Sequence, residues 1–285
     1  MGTLGHNSYG KSNVRLTKVV RNGPRHELFE ISANIQLEGD FDAAYCEGDN
    51  RNCIATDSMK NTVYVLAKEH GFVSVEQFAL ILVRHFLATY PQVSAARIEL
   101  TQSYWQRITV DGKPHDHAFT RAGPQLRYAH AVWHRSDAQP GLGGGVRDLL
   151  VLKTTASEWR DFTSDRYRTL KDTRERIMAT KVNADWDYNT LNGDFRSFAM
   201  SIDDAILTAF ATRHSLGVQQ TLKDMGDAAL AACGAIDSIA FTLPNLHRIP
   251  FNLEPFGLKF ENDIFVATDE PFGLIKGTIT REPKP

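Results

Sequence analysis

The sequence predicts a duplicated α+β fold, with antiparallel sheets carrying helices on one face. Three observations predict it. Each half of the chain runs strand-strand-helix-helix-strand-strand in the same order. The strands alternate apolar and polar residues, so each has one face to bury and one to leave wet. The helices carry one apolar stripe, enough to cover one face of a sheet. The two copies, about 140 residues each and of ordinary domain size, divide the chain into domains at 1–137 and 138–285.

Asn13 to Val20 reads as the first strand, and Arg21-Asn-Gly-Pro24 as the turn after it. Residues 29–37 alternate strictly, Phe29, Ile31, Ala33, Ile35 and Leu37 against Glu30, Ser32, Asn34 and Gln36. That is the pattern of a half-buried strand. Met59, Thr62, Val63, Leu66, Ala67 and His70 then recur at helical spacing, with Gly71 placed to end the helix. Ser74 and Gln77 have the spacing of a capping box for the next helix, and Val73 and Phe78 that of a hydrophobic staple. Val75, Phe78, Ala79, Leu82, Phe86 and Tyr90 supply its apolar side.

Beyond Pro91, Ala96, Ile98, Leu100, Tyr104, Ile108 and Val110 share one strand parity. Asp111-Gly112 is a hairpin signal, and Pro114 to Phe119 starts the return strand. In the second half, Leu126–His134 and Val146–Leu152 read as strands, Thr169–Ala179 as a short helix and Lys181–Tyr188 as extended chain. Ile202–His214 and Val218–Cys233 read as helices, Ile236–Leu243 and Leu274–Thr280 as strands. Long strands leave unpaired edges. An oligomeric barrel, closed by several chains, removes them.

Composition narrows the function. The 285 residues include 34 acidic and 32 basic side chains, 42% hydrophobic and 23% charged residues. A disordered chain has fewer apolar residues or more charge. A net charge of −2 lacks the basic excess of a phosphate-bound nucleic-acid binder. No apolar run approaches the ~18 residues of a membrane span. Cys46, Cys53 and Cys233 are odd in number and scattered, which favours reduced thiols over a disulfide framework or a zinc ribbon. The start, Met-Gly-Thr-Leu-Gly-His, lacks a signal region, and the end, Arg-Glu-Pro-Lys-Pro, lacks a peroxisomal address. The expected compartment is the cytoplasm.

Several groups of residues have chemistry to offer. His115 and His117 share a strand face at metal-ligand spacing, and His130 or His134 could add a third ligand. Two wet histidines on a strand is the plainer reading, and no metal is expected. Gly141-Leu-Gly-Gly-Gly145 lacks the Lys-Ser of a phosphate loop and reads as a surface hairpin loop. Thr56-Asp57-Ser58 opens a helix; all three are favoured capping residues, and a helix start also holds anions. Lys11 is a solvated lysine unless burial makes it a base. Arg176 and Gln219 offer a planar fork and an amide, the groups that match adjacent carbonyl and N–H atoms of a heterocycle. Trp159 or Phe162 could stack on its face. Asn245 and His247 follow Leu243-Pro244 and read as a turn, with His247 a near-neutral proton carrier.

In collinear order the chain contains Tyr9-Gly-Lys-Ser-Asn-Val-Arg15, Ala55-Thr-Asp-Ser-Met-Lys-Asn-Thr62 and Asp111-Gly-Lys-Pro-His-Asp-His-Ala-Phe119. Leu152-Lys-Thr-Thr155, Tyr167-Arg-Thr-Leu-Lys-Asp-Thr173, Val218-Gln219, Leu243-Pro-Asn-Leu-His247 and Gly273-Leu-Ile-Lys276 follow. Together they resemble the urate oxidase (uricase) family over nearly the whole chain. The resemblance implies two tunnelling-fold (T-fold) domains per chain and a homotetramer stacked into a hollow barrel. It implies oxidation of urate by O2 and water to 5-hydroxyisourate and hydrogen peroxide, with no metal and no organic cofactor.

It also implies roles. Lys11 and Thr56 would relay protons, with His247 completing the triad. Asp57 would flank the oxygen end of the site. Arg176 and Gln219 would clamp the substrate's polar edge, helped by the Val218 backbone. Asn245 would hold O2 or water above the ring. The family stacks an aromatic residue, usually Phe, under the purine; here Trp159 aligns, with Phe162 as the alternative. Lys11, Thr56 and Asp57 come from the first half and the rest from the second. The resemblance implies sites shared across a subunit interface. Rival readings are a purine- or pterin-binding protein of this fold with another reaction or none, and a metalloenzyme built on His115, His117 and His134.

Overall fold

The computed structural model describes residues 2–282, apart from the Asp269 side chain. Met1 and residues 283–285, on which the reading of the chain termini partly rests, lie outside the described residues. Two compact units emerge: Met1–Gly145 with Asp187–Ser197, and Val146–Trp186 with Phe198–Pro285.

The first unit holds strands β1 (Tyr9–Val20), β2 (Glu27–Gly39), β3 (Val93–Val110) and β4 (Lys113–His134). They pair antiparallel in sequence order. Between β2 and β3 lie α1 (Asp42–Cys46), α2 (Thr56–Glu69) and α3 (Val75–Thr89). The second unit repeats the order with β5 (Gly141–Lys153), β6 (Met178–Tyr188), α4 (Phe195–Thr212), α5 (Val218–Ala232), β7 (Ile236–Pro250) and β8 (Phe265–Thr280). The start of β5, the end of β6 and the start of α4 fall in the first unit. Antiparallel sheets with helices on them are therefore present as expected.

The alternation of β2 translates directly into burial. Ile31, Ala33, Ile35 and Leu37 are 2% exposed or less, and face the helices. Asp111 and Gly112 both adopt positive φ, at 49° and 75°, which sets the tight β3–β4 hairpin. Ser74 caps α3, accepting from the Gln77 N–H at 3.3 Å. The staple differs from expectation. Val73 is exposed, and Phe72 takes its place, stacked on Phe78 at 4.5 Å. A further tie is buried: Glu76 of α3 pairs with Arg127 of β4 at 2.6 Å, and Tyr188 joins them. Breaking such a pair from one side costs about 3–5 kcal/mol.

Four expectations are corrected. Leu126–His134 does not open the second half; it finishes the 22-residue strand β4. Thr169–Ala179 is not a helix. Its Leu170 lies in solvent, while Thr173 bonds back to Trp159 at 2.9 Å in both directions. Gly141–Gly145 is buried strand rather than surface loop: a Cβ on Gly143 would lie 2.0 Å from the His130 ring. Asn245 and His247 lie within β7, not in a turn.

Candidate active site

The second unit gathers three separate segments around one aromatic ring. Trp159 follows β5, Arg176 precedes β6, and Gly217 opens α5. The Arg176 guanidinium stands 5.8 Å from the Trp159 ring centre. A Cβ added to Gly217 would sit 3.0 Å from the Trp159 indole and 3.4 Å from Gln219 Oε1. Glycine at 217 thus lets the indole reach the start of α5, beside Gln219. Phe162 stacks behind on Trp159 at 5.5 Å and 15°, and Arg168 lies 4.0 Å over Phe162.

Arg176 is held from below. Its Nε donates to Ser157 Oγ at 3.2 Å and its backbone N–H to the Ser157 carbonyl at 3.0 Å. Ser157 is fully buried, as are Ser215 and Thr221 nearly so. Thr221 Oγ1 donates to Ser215 Oγ at 2.7 Å, which donates to the Gly217 carbonyl at 3.1 Å. This hydroxyl ladder braces the turn into α5, and the Glu158 N–H, donating to the Ser215 carbonyl at 2.7 Å, joins it to the Ser157 segment that holds Arg176. Burial holds the guanidinium below the usual arginine pKa. One terminal nitrogen of Arg176 is buried without a hydrogen-bond partner among the described residues. An unsatisfied buried donor costs about 1–3 kcal/mol, more if charged. A fork left open at that cost can gain the missing bond from a ligand.

Asn245 and His247 lie in the same unit on β7, on either side of a bulge that shifts the register between them. Val218 is the first residue of α5 and is buried; Gln219, next to it, is exposed.

In the first unit, Lys11 lies on β1 and Thr56 opens α2. Tyr9 ties the two elements together. Its hydroxyl accepts from the Ile54 N–H at 2.7 Å and donates to the Ile54 carbonyl at 3.1 Å. Burial pushes the Tyr9 pKa up to about 12, so the hydroxyl stays protonated. Asp57 bonds Lys60 at 2.5 Å and Asn61 at 2.9 Å. The Lys60 bond, and more weakly the Lys11 charge, hold its carboxyl below the usual range.

Helix starts differ in how they are capped. The α3 and α4 starts carry side-chain caps, Ser74 on the Gln77 N–H and Asp194 on the Ser197 N–H. The starts of α2 and α5 have Ala55 and Gly217 at the cap, with no side-chain bond. The capping role expected of Thr56-Asp57-Ser58 is not taken up, because the helix begins one residue early. Their free N–H groups remain available to an anion or a polarised oxygen.

The histidine metal site does not assemble. His115 and His117 are neighbours, ring centres 4.6 Å apart. His134 stands at the far end of β4, and His130 bonds Asp187 at 3.3 Å. Among the described residues no three His, Cys, Asp or Glu side chains gather as a metal site.

Comparison with known proteins names the fold. The uricase family model matches residues 7–132 and 142–276. A uricase of Arthrobacter globiformis is 44% identical over 279 residues, covering 98% of this chain and 90% of that protein. The chain belongs to the uricase family. A Dictyostelium discoideum uricase is 37% identical over 99% of this chain and 98% of its own. The crystal structure of uricase from A. globiformis superposes with a TM-score of 0.93 at 42% identity, over 100% of this chain and 97% of that one. The T-fold expectation and the family resemblance are both borne out. Sequence reasoning missed Ser157, Ser215, Gly217 and Thr221, the supports behind Arg176. Small buried hydroxyls carry no periodic signal.

Proposed function

We propose that this chain oxidises urate, with O2 and water, to 5-hydroxyisourate and hydrogen peroxide, without metal or organic cofactor. Membership of the uricase family supplies the reaction. The observation that carries the site is the open, desolvated Arg176 fork beside Trp159 and the bare start of α5. A flat purine fits there: fork and Gln219 amide to its polar edge, the Val218 N–H beside them, Trp159 under its face. The contacts of Phe162 with Trp159 and Arg168 support a backing role for it and the stacking role for Trp159.

Lys11, through Thr56, takes a proton to form the urate dianion. The dianion passes one electron to O2, which Asn245 holds above the ring. The radical pair combines as a C5 peroxide, which takes back the relay's proton to become the hydroperoxide. Water then displaces hydrogen peroxide, with His247 completing the relay and Asp57 flanking the oxygen end. The protein positions the ring and moves protons.

Lys11, Thr56 and Asp57 sit in the first unit, and His247 with Arg176, Gln219, Asn245 and Trp159 in the second. The site is completed by a second subunit, in a homotetramer of two T-fold domains per chain, 1–137 and 138–285. Exposed Leu150, Leu152, Ile249, Val266 and Leu274 on β5, β7 and β8 support such an assembly, since they offer apolar surface to a neighbour. A cytoplasmic location goes with the three unpaired cysteines.

The test follows urate's ultraviolet absorbance and peroxide release in aerated alkaline buffer, with and without exhaustive chelation. Equal loss of urate in both, with peroxide formed, is expected. Untouched urate, or consumption that stops on chelation, overturns the reading.

A further inference from the structure

We infer that Asn13 is a positioning residue: the bulge it forms in β1 turns Lys11 toward Thr56. The inference rests on the proton-relay reading of Lys11. Lys11 pairs with Ile35 and Val14 pairs with Ala33. Three steps along β1 therefore match two along β2, so Ser12 and Asn13 together oppose Asn34. In a regular strand, residues three apart point to opposite faces. Val14 and Leu16 are buried beneath the helices, at 4% and 8% exposure. A regular β1 that buried them would send Lys11 to the other face, away from α2. The bulge resets the parity. Lys11 then shares the helix side with Val14 and with Tyr9, whose hydroxyl is tied to Ile54. Its charge acts on the Asp57 carboxyl at the α2 start.

The bulge is held by its own polar contacts. Asn13 has φ 58°, a left-handed conformation that asparagine tolerates and β-branched residues resist. Its N–H donates to Asn34 Oδ1 at 2.8 Å, and its Oδ1 accepts from Ser32 Oγ at 2.8 Å. Arg15 Nε adds a longer bond to the same oxygen, at 3.4 Å. Asn13, Ser32 and Arg15 lie on the sheet face away from the helices, so the clamp works from behind and leaves the Lys11 side free.

The test compares Asn13→Val, Asn13→Gly and Asn34→Ala in the assembled enzyme, with Lys11→Met as control. An ångström-scale misplacement of a reacting group costs up to about 10²-fold. We expect Asn13→Val to lower kcat at least about tenfold with KM for urate within about twofold, because the binding groups lie elsewhere. Glycine accepts the left-handed backbone, so Asn13→Gly should recover kcat to within about threefold of the parent. If Asn13→Val does not fold, Asn34→Ala must show the same kcat loss at unchanged KM. Parent-like kcat in the folded Val variant, or in Asn34→Ala when Val does not fold, overturns the inference, as does an Asn13→Gly variant no better than Val. Normal turnover in Lys11→Met instead defeats the relay reading itself.

Discussion

The two units place their candidate site residues in different electrostatic surroundings. Around Lys11 and Thr56 the groups are numerous, mutually paired and open to water; the Asp57 carboxylate is 69% exposed and already bonded to Lys60. Beside Trp159 the Arg176 guanidinium is desolvated and its fork is left incomplete among the described residues, with the paired charges Glu158, Arg160 and His214 and the exposed Gln219 around it. Proton transfer needs groups that can gain and lose charge with little reorganisation, which a wet, paired cluster allows. Recognition needs donors whose only good partner is the ligand, which a dry fork supplies. On the proposed reading Lys11 and Thr56 meet the first demand from one copy and Arg176 the second from the other, which also carries His247.

That contrast can be broken by mutation. The largest effect belongs to the wet cluster. Lys11→Met or Thr56→Ala should each lower kcat by at least about 10²-fold, the usual scale for an acid–base group; steady-state turnover of urate reads it. Arg176→Ala should act on binding. Removing a charged, desolvated hydrogen-bonding partner costs about 2–3 kcal/mol, or roughly 30- to 150-fold in KM. A kcat loss at unchanged KM would merge the two regions' roles. Trp159→Phe keeps a stacking ring and should shift KM by less than about fivefold, since an aromatic pair is worth only about 0.5–1.5 kcal/mol beyond its area. It should also remove the substrate-dependent part of the tryptophan fluorescence.

The smallest effect lies away from both clusters. The His130 bond holds the Asp187 carboxyl below its ordinary range. A depressed folded value means stability that is present above the unfolded carboxylate pKa, about 3.9, and fades as pH falls through the folded value. Asp187 is 76% exposed. Asp187→Asn should therefore cost under about 1 kcal/mol at pH 7. Urea unfolding should show the gap between parent and variant closing in acid.

How far the sequence could be read depended on whether the signal was periodic. The β2 alternation matched burial at every position, because one face of that strand is wholly covered by helices. In β3 the same parity held to Leu100 and then lost its meaning. A register shift between Ser103 and Trp105 resets the faces, and Ile108 and Val110 emerge into solvent. The segment before β6 was misread for a related reason. Thr169–Ala179 reads as a short helix in the sequence, yet it runs irregularly beside Trp159 and carries Arg176. Site residues were legible only as an ordered set; singly, each had a plainer use. The glycine at 217 and the hydroxyls behind Arg176 gave no warning, since their work is steric fit and local bonding.

The bare starts of α2 and α5 have a practical consequence for handling the protein. A missing side-chain cap typically costs a helix about 1 kcal/mol. An occupant that satisfies those amides restores part of that. Substrate analogues or simple oxyanions in a storage buffer should then harden the preparation against heat, acting on the two helices that carry Thr56 and Gln219.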